Sequence, residues 1–255
     1  MAKKSKKSAY ITLGIVILLI IGGIFLFKKN ANAPAVVEPT TQTATPEKST
    51  PITIKDEPIN ETNFTGTESI ISGSGPLADA ARTYIDGTVA TFKETADEEV
   101  PDLKAQSGPD AEANAYEIDI KATYIKTSET SSIIITDYEY TGGANGNNSY
   151  KVFTVSNATG VILSLSDVIS ADKQAAFTAY VKNALLTWVP DGSDSPAVFA
   201  DQVAALTFNS FTDWSFDKSN LIIYFDEYAV GPGSLGPIAF PLPISKIKTY
   251  LAPGY

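Results

Sequence analysis

The chain has 255 residues, 44% of them hydrophobic, and contains neither Cys nor His. Without Cys there is no disulfide framework, thiolate metal site, lipid-bearing Cys or Cys nucleophile; without His, Ser-His-Asp and Cys-His catalysis and the commonest zinc ligand are excluded. Net charge is −10, and from residue 30 onward 13 basic residues stand against 29 acidic ones, a balance that repels nucleic acid and attracts cations or a basic protein, besides serving solubility.

In chain order, the first feature is the 18-residue uncharged run from Tyr10 to Phe27, flanked by Lys3, Lys4, Lys6 and Lys7 before it and Lys28 and Lys29 after it. At 1.5 Å per residue it reaches roughly 27 Å, enough for one transmembrane helix, and the excess of Lys ahead of it predicts a cytoplasmic N-terminus. The competing reading is a signal peptide cleaved at Ala31-Asn32-Ala33; the run is longer than an ordinary signal core, and Lys28 and Lys29 interrupt the approach to that site. Residues 1–9 are then a cytoplasmic stub, 10–27 the membrane helix, and 28–62 a disordered Pro- and Thr-rich linker, with Pro34, Pro39, Pro46, Pro51 and Pro58 and no apolar periodicity. Residues 63–255 form an extracellular domain, whose part 63–110 is helical and whose part 111–255 is the core. The expected location is the cell membrane, single-pass, with the domain outside.

Within the domain, Gly75-Pro76 opens a helix, with Leu77, Ala81, Tyr84, Ile85, Val89 and Phe92 on one face and an end near residues 94–97. From Tyr116 the period changes to two: 116–124, 133–140, 150–155 and 161–165 read as strands, joined by a glycine-rich loop at 141–148 and a turn at 157–160. Residues 171–188 read as a helix with Phe177, Tyr180, Val181, Ala184, Leu185 and Trp188 as its stripe, and 197–206 as a shorter one. Trp214–Phe216 pairs across a turn with Leu221–Phe225, 235–241 is an edge strand, and 244–251 a closing helix. Strands in runs with helices between them predict an α+β fold, an antiparallel sheet meander with packed helices.

Two glycine-rich connections are the candidate ligand-binding elements. The first supplies Tyr138, Tyr140, Gly142, Gly143, Asn145, Gly146 and Asn147; the second supplies Tyr228, Gly231 and Gly233. Glycine there allows positive φ and close backbone approach, which suits either a ligand loop or a tight strand connection. No Gly-Lys-Ser/Thr follows, so neither is a phosphate loop. Asp137 and Glu139 share one strand face and Tyr138 and Tyr140 the other; with Asp226 and Glu227 these acids are candidates for carboxylate-based glycan hydrolysis, although among 29 acidic residues such a pair can always be nominated. Asp191-Gly192-Ser193-Asp194 lacks the spacing of a calcium loop. No catalytic residue, metal site or cofactor is assigned.

The segments TGGANGN and LSLSDVI, together with the ending FDKSNLIIYFDEYAVGPGSLGPIAFPLPISKIKTYL, resemble the RsiV-like extracellular domain family and the related N-terminal region of PdaC-type peptidoglycan deacetylases. The likeness spans roughly residues 63–252. It implies a bacterial cell-surface α+β module, generally non-catalytic, which in the RsiV type binds lysozyme. The family's glycine loop usually carries His where this chain has Asn145, and a stub of nine residues is too short to hold a sigma factor. The expected partners are therefore a cell-wall glycan or a cationic, lysozyme-like protein, and the membrane, but no nucleic acid. The alternatives are a glycan hydrolase or an envelope scaffold module.

Overall fold

The computed structural model describes residues 50–107 and 116–255, all within one compact unit. The expected membrane helix at 10–27 lies outside the described residues. Among the described residues, no helix is long and apolar enough to cross a membrane.

The first half builds a five-stranded sheet in the order β1 (Thr53–Asn60), β2 (Phe64–Ser72), β3 (Tyr116–Lys126), β4 (Thr130–Tyr140), β5 (Asn147–Ser156). A single long helix, α1 (Pro76–Ser107), connects β2 to β3 and covers one face. Its stripe, Leu77, Ala81, Ile85, Phe92, Ala96 and Val100, is buried against Ile118, Ile120, Ile133 and Ile135 of the sheet. The helix runs past the end expected near 94–97 because Ala96 and Val100 continue the stripe at i+4 spacing, while the acidic residues of that stretch occupy its other faces.

The structure departs from two expectations. The linker expected to reach residue 62 is structured from Thr53: β1 pairs antiparallel with β2, and Ile59 is buried. Pro58, which argued for disorder, sits on the edge strand of the sheet, where a missing N–H is tolerated. The sheet is also mixed rather than wholly antiparallel, since β2 and β3 run parallel; the α1 crossover returns the chain to the same end, as a parallel pair requires. The β3-β4-β5 portion is the antiparallel meander predicted.

The second half holds α2 (Leu165–Val168), α3 (Gln174–Leu186), α4 (Ala200–Ala205), a three-stranded antiparallel sheet β6 (Trp214–Phe216), β7 (Asn220–Phe225), β8 (Ile238–Pro243), and α5 (Ile244–Ile247). Phe177, Val181 and Leu185 on α3 pack with Trp214, Leu221, Ile223, Phe225 and Phe240 in a core of their own. The hairpin between β6 and β7 closes on Asp217, whose Oδ1 accepts from the backbone N–H of Ser219 (2.6 Å) and Asn220 (2.7 Å). The strand expected at 161–165 is reduced to one bridge, Val155 to Ile162, because no described residue covers Val161 and Ile162, which are exposed. The closing helix is one turn long; the chain then extends so that Leu251 bridges Ile169.

The two sheets are joined along the free edge of β5. Alternate N–H groups of that strand point away from β4, and each meets a carboxylate from the second half: Asn148 N donates to Glu227 Oε2 (3.1 Å), Tyr150 N to Asp226 Oδ1 (2.8 Å), and Val152 N to Asp213 Oδ1 (2.7 Å). Lys151 pairs with the same Asp213 oxygen at 3.0 Å, and the Thr154 hydroxyl donates to the Trp214 carbonyl at 2.9 Å. Ile134, Val152 and Tyr224 form a small apolar cluster beside this seam. Hydrogen bonds to a charged acceptor are worth about 1.5–3 kcal/mol each. Asp213→Ala is expected to lower unfolding stability by about 2–3 kcal/mol and Asp213→Asn by less, measured by urea denaturation; equal stability of Asp213→Ala and wild type would show that the seam does not depend on this carboxylate.

Candidate functional site

Strand β4 separates two concave sites, one on each face. Its residues alternate, so Tyr138 and Tyr140 face one way and Asp137 and Glu139 the other.

On the tyrosine face lies a groove of about 650 Å³, lined by Tyr138, Tyr140, Ala144, Asn145, Gly146 and Asn148 from the first half and by Glu227, Tyr228, Gly233, Ser234 and Gly236 from the second. The two glycine-rich connections, 80 or more residues apart in sequence, thus meet in one site, held together by the Asn148–Glu227 contacts of the seam: Asn148 Nδ2 also donates to Glu227 Oε2 at 3.0 Å, and Glu227 N donates to the Asn148 carbonyl at 3.0 Å. Glycine is required for a specific reason. A Cβ at Gly146 would lie 2.3 Å from the Tyr138 ring, and one at Gly233 would lie 2.3 Å from the Tyr228 ring, so each ring rests directly on glycine backbone. Tyr228 itself has φ +66°, the sole non-glycine residue with positive φ among those described, and is 55% exposed. A left-handed tyrosine costs of order 1 kcal/mol, and here it presents a large aromatic face to solvent.

Of the ten residues singled out from sequence, Tyr138, Tyr140, Asn145, Gly146, Tyr228 and Gly233 line this groove. Gly142 and Gly143 do not; they form the turn beside it, with φ +94° and +103°, and the Tyr140 hydroxyl donates to the Gly143 carbonyl at 2.9 Å. Gly231 also lies outside the lining, where a Cβ would come within 2.9 Å of Leu235 Cδ1. Asn147, one residue out of phase with Asn148, lines the other site. Ala144, Asn148, Ser234 and Gly236 of the same two connections also line the groove, beyond the ten residues expected.

On the acidic face a cavity of about 630 Å³ opens between β4, β5 and α1, lined by Asp137, Glu139, Asn147 and Ser149 on the sheet and by Thr83, Tyr84, Gly87, Thr88 and Thr91 on the helix. Asp137 is only 5% exposed, and its Oδ2 accepts from the Tyr84 hydroxyl at 3.1 Å. Burial raises the Asp137 carboxyl above its ordinary range, with Asp226 adding to the effect. Burial, then the neighbouring Asp137, raises Glu139 likewise, and burial with Asp137 raises the Tyr84 hydroxyl. The helix residues of this site escaped the sequence reading because Thr83, Thr88 and Thr91 look like an ordinary solvent face.

The four acids considered for hydrolysis are divided by the fold. Asp226 and Glu227 cap the β5 edge, their oxygens engaged by backbone N–H groups. Asp137 and Glu139 sit side by side on one wall, and the facing α1 wall of this cavity carries no carboxylate. Among the described residues, no group of three acidic side chains is placed to hold a metal ion.

Because Asp137 binds its proton more tightly folded than unfolded, it contributes stability below its unfolded pKa, and that contribution is lost as pH rises through the raised folded value. Asp137→Asn, which keeps an acceptor for Tyr84 without the buried charge, is therefore expected to melt higher than wild type at about pH 7, with the two converging at about pH 3. A gap that does not narrow on acidification would contradict a raised Asp137.

Residues 166–245 match the family described as a protein of unknown function, DUF3298. A stretch of 147 residues is 24% identical to the peptidoglycan-N-acetylmuramic acid deacetylase PdaC of Bacillus subtilis, covering 56% of this chain and 30% of that enzyme. The chain thus matches less than a third of its curated relative's length. A crystal structure of a DUF3298 family member from Bacteroides fragilis shares the fold, with TM-score 0.52 and 15% identity over 79% of this chain and 94% of that one. A DUF3298 family protein from Pseudomonas aeruginosa aligns at TM-score 0.45 and 12% identity over 82% and 96% of the two chains. Together these similarities relate the chain to the DUF3298 and PdaC group.

Proposed function

We propose that this protein is a membrane-tethered, extracytoplasmic, non-catalytic binding domain whose tyrosine groove takes a cell-wall glycan. The observation that carries the proposal is the convergence of Tyr138, Tyr140 and Tyr228 from distant segments on one open groove, two of them seated on glycine backbone. Tyrosine combines a large apolar face with a polar tip, so sugar rings stack on it while their hydroxyls find partners at the rim, here Asn145, Asn148 and Ser234. The cell-wall substrate in the name of the related deacetylase supports a glycan as the ligand class. The binding role is favoured over hydrolysis by the side-by-side placement of Asp137 and Glu139, since glycosidase carboxylates flank the scissile bond from opposite sides.

The finer RsiV-like reading adds a cationic, lysozyme-like protein as an alternative partner, and the excess of 29 acidic over 13 basic residues beyond position 29 favours such a partner electrostatically. The two are separated by salt: attraction to a basic protein fades as ionic strength rises, whereas ring stacking does not.

Titration of the full chain with soluble peptidoglycan fragments is expected to show binding that weakens by about 1 kcal/mol or more, roughly fivefold, in each of Tyr138→Ala and Tyr228→Ala. Fragment binding unaffected by both substitutions would remove the groove from the proposal. The tether makes a separate expectation. The protein should sediment with membranes and be digested by protease added outside the cell, and deletion of residues 10–27 should abolish both; a full-length protein found in the cytosol would refute the topology.

A further inference from the structure

Resting on the reading of the tyrosine groove as a glycan site, we propose that the groove selects sugars whose amino group is free and protonated, and that the Glu227 carboxylate and the tyrosine rings make the selection. Glu227 is the charged residue of the lining, and no Lys or Arg stands with it. The seam uses one of its oxygens: Oε2 accepts both the backbone N–H and the side-chain amide of Asn148, at 3.1 and 3.0 Å. Oε1 has no hydrogen-bond partner among the described residues. It is not buried either, since the buried unpartnered side-chain atoms are Asp137 Oδ1 and Gln202 Oε1. The carboxylate is thus fixed through one oxygen and meets solvent with the other, in a residue that lines the groove.

The rings add a second, independent preference for a cation. The face of a tyrosine ring carries the negative part of its quadrupole and attracts an ammonium placed over it. Tyr138 and Tyr140 are half-buried and Tyr228 is exposed, and none of the three pairs with another ring among the described residues. The lysine–ring contacts of the described residues lie elsewhere, on Phe64 and Phe153. The phenol ends of Tyr138 and Tyr228 are held against Gly146 and Gly233, so these rings need little ordering when a ligand arrives. Other ligand classes fit less well. An anion is repelled by Glu227. A neutral hydroxyl can donate to Oε1 but gains neither the charge pairing nor the ring attraction. A bare lysine chain brings an ammonium without a flat sugar face to stack on tyrosine. A divalent metal needs several oxygen ligands, and no three acidic side chains converge among the described residues. An amino sugar supplies both halves, a ring for the tyrosines and three N–H donors for Glu227, in a groove of about 650 Å³.

The test compares two trisaccharides that differ only in acetylation. The full chain is titrated calorimetrically with the β-1,4 trimer of glucosamine and with the β-1,4 trimer of N-acetylglucosamine, at a mildly acidic pH where the free amines carry protons. The glucosamine trimer is expected to bind roughly tenfold tighter. Glu227→Gln keeps an acceptor for Asn148 and removes the charge, and it should bring the ratio of the two affinities close to one. A groove that is merely loosened would weaken both trimers and leave the ratio standing. Ser234→Lys sets a positive charge at the exposed rim without touching the seam; it should abolish the preference too, and it carries the test where Glu227→Gln does not fold. Equal affinities in wild type, a ratio unchanged in both variants, or trilysine binding tighter than the glucosamine trimer would overturn the selection for amino sugars. Equal affinities leave the glycan reading intact, whereas that reading falls by itself if neither trimer and no peptidoglycan fragment binds.

Discussion

The structure depends on how the open edge of β5 is closed. A strand edge exposes a row of unpaired N–H groups, and natural sheets cover, twist or charge such edges. Here three carboxylates, Glu227, Asp226 and Asp213, take the outward N–H groups of Asn148, Tyr150 and Val152. The second sheet is thereby placed against the first by ionic hydrogen bonds at regular two-residue intervals, with only a small apolar cluster of Ile134, Val152 and Tyr224 alongside. Each half keeps its own hydrophobic core, one under α1 and one around α3, and the seam sets their register.

That seam explains why the tyrosine groove exists. Glu227 anchors the chain just before Tyr228, and Asn148 anchors it just after the glycine loop, so the two connections are fixed opposite one another. The strain at Tyr228 is sustained because the surrounding contacts, including the Ala229 N to Asp226 carbonyl bond at 3.1 Å, determine the turn. Two of the acids that residue type alone nominates for catalysis, Asp226 and Glu227, thus accept backbone N–H groups of β5 and hold the segment that carries Tyr228.

On the other face of β4 the physics is reversed. Asp137 is not used to close an edge; it is buried with one carboxylate oxygen on Tyr84 and the other without a partner among the described residues, beside a second carboxyl and opposite a helix wall rich in threonine. The pleat of a single strand thus carries an aromatic surface on one face and an acidic one on the other. The two surfaces face opposite sides of the sheet and differ in chemistry.

Local periodicity determined much of this protein: the i+4 stripe of α1, the alternation of β3, the stripe of α3 and the β6–β7 hairpin were all legible, because each reflects a face buried within one element. So was the separation of Tyr138 and Tyr140 from Asp137 and Glu139, which follows from the period of two. Tertiary structure decided what depends on partners far away in sequence. Pro58 reads as a linker residue until an edge strand makes its missing N–H harmless, and α1 continues past Phe92 because the sheet offers Ala96 and Val100 a place to pack. Val161 and Ile162 read as a strand but find only one bridging partner. Asp213 carries no local signal at all; it acquires its role only when Val152 and Lys151 arrive beside it, since a hydrogen bond between distant segments leaves no periodicity for the sequence to display.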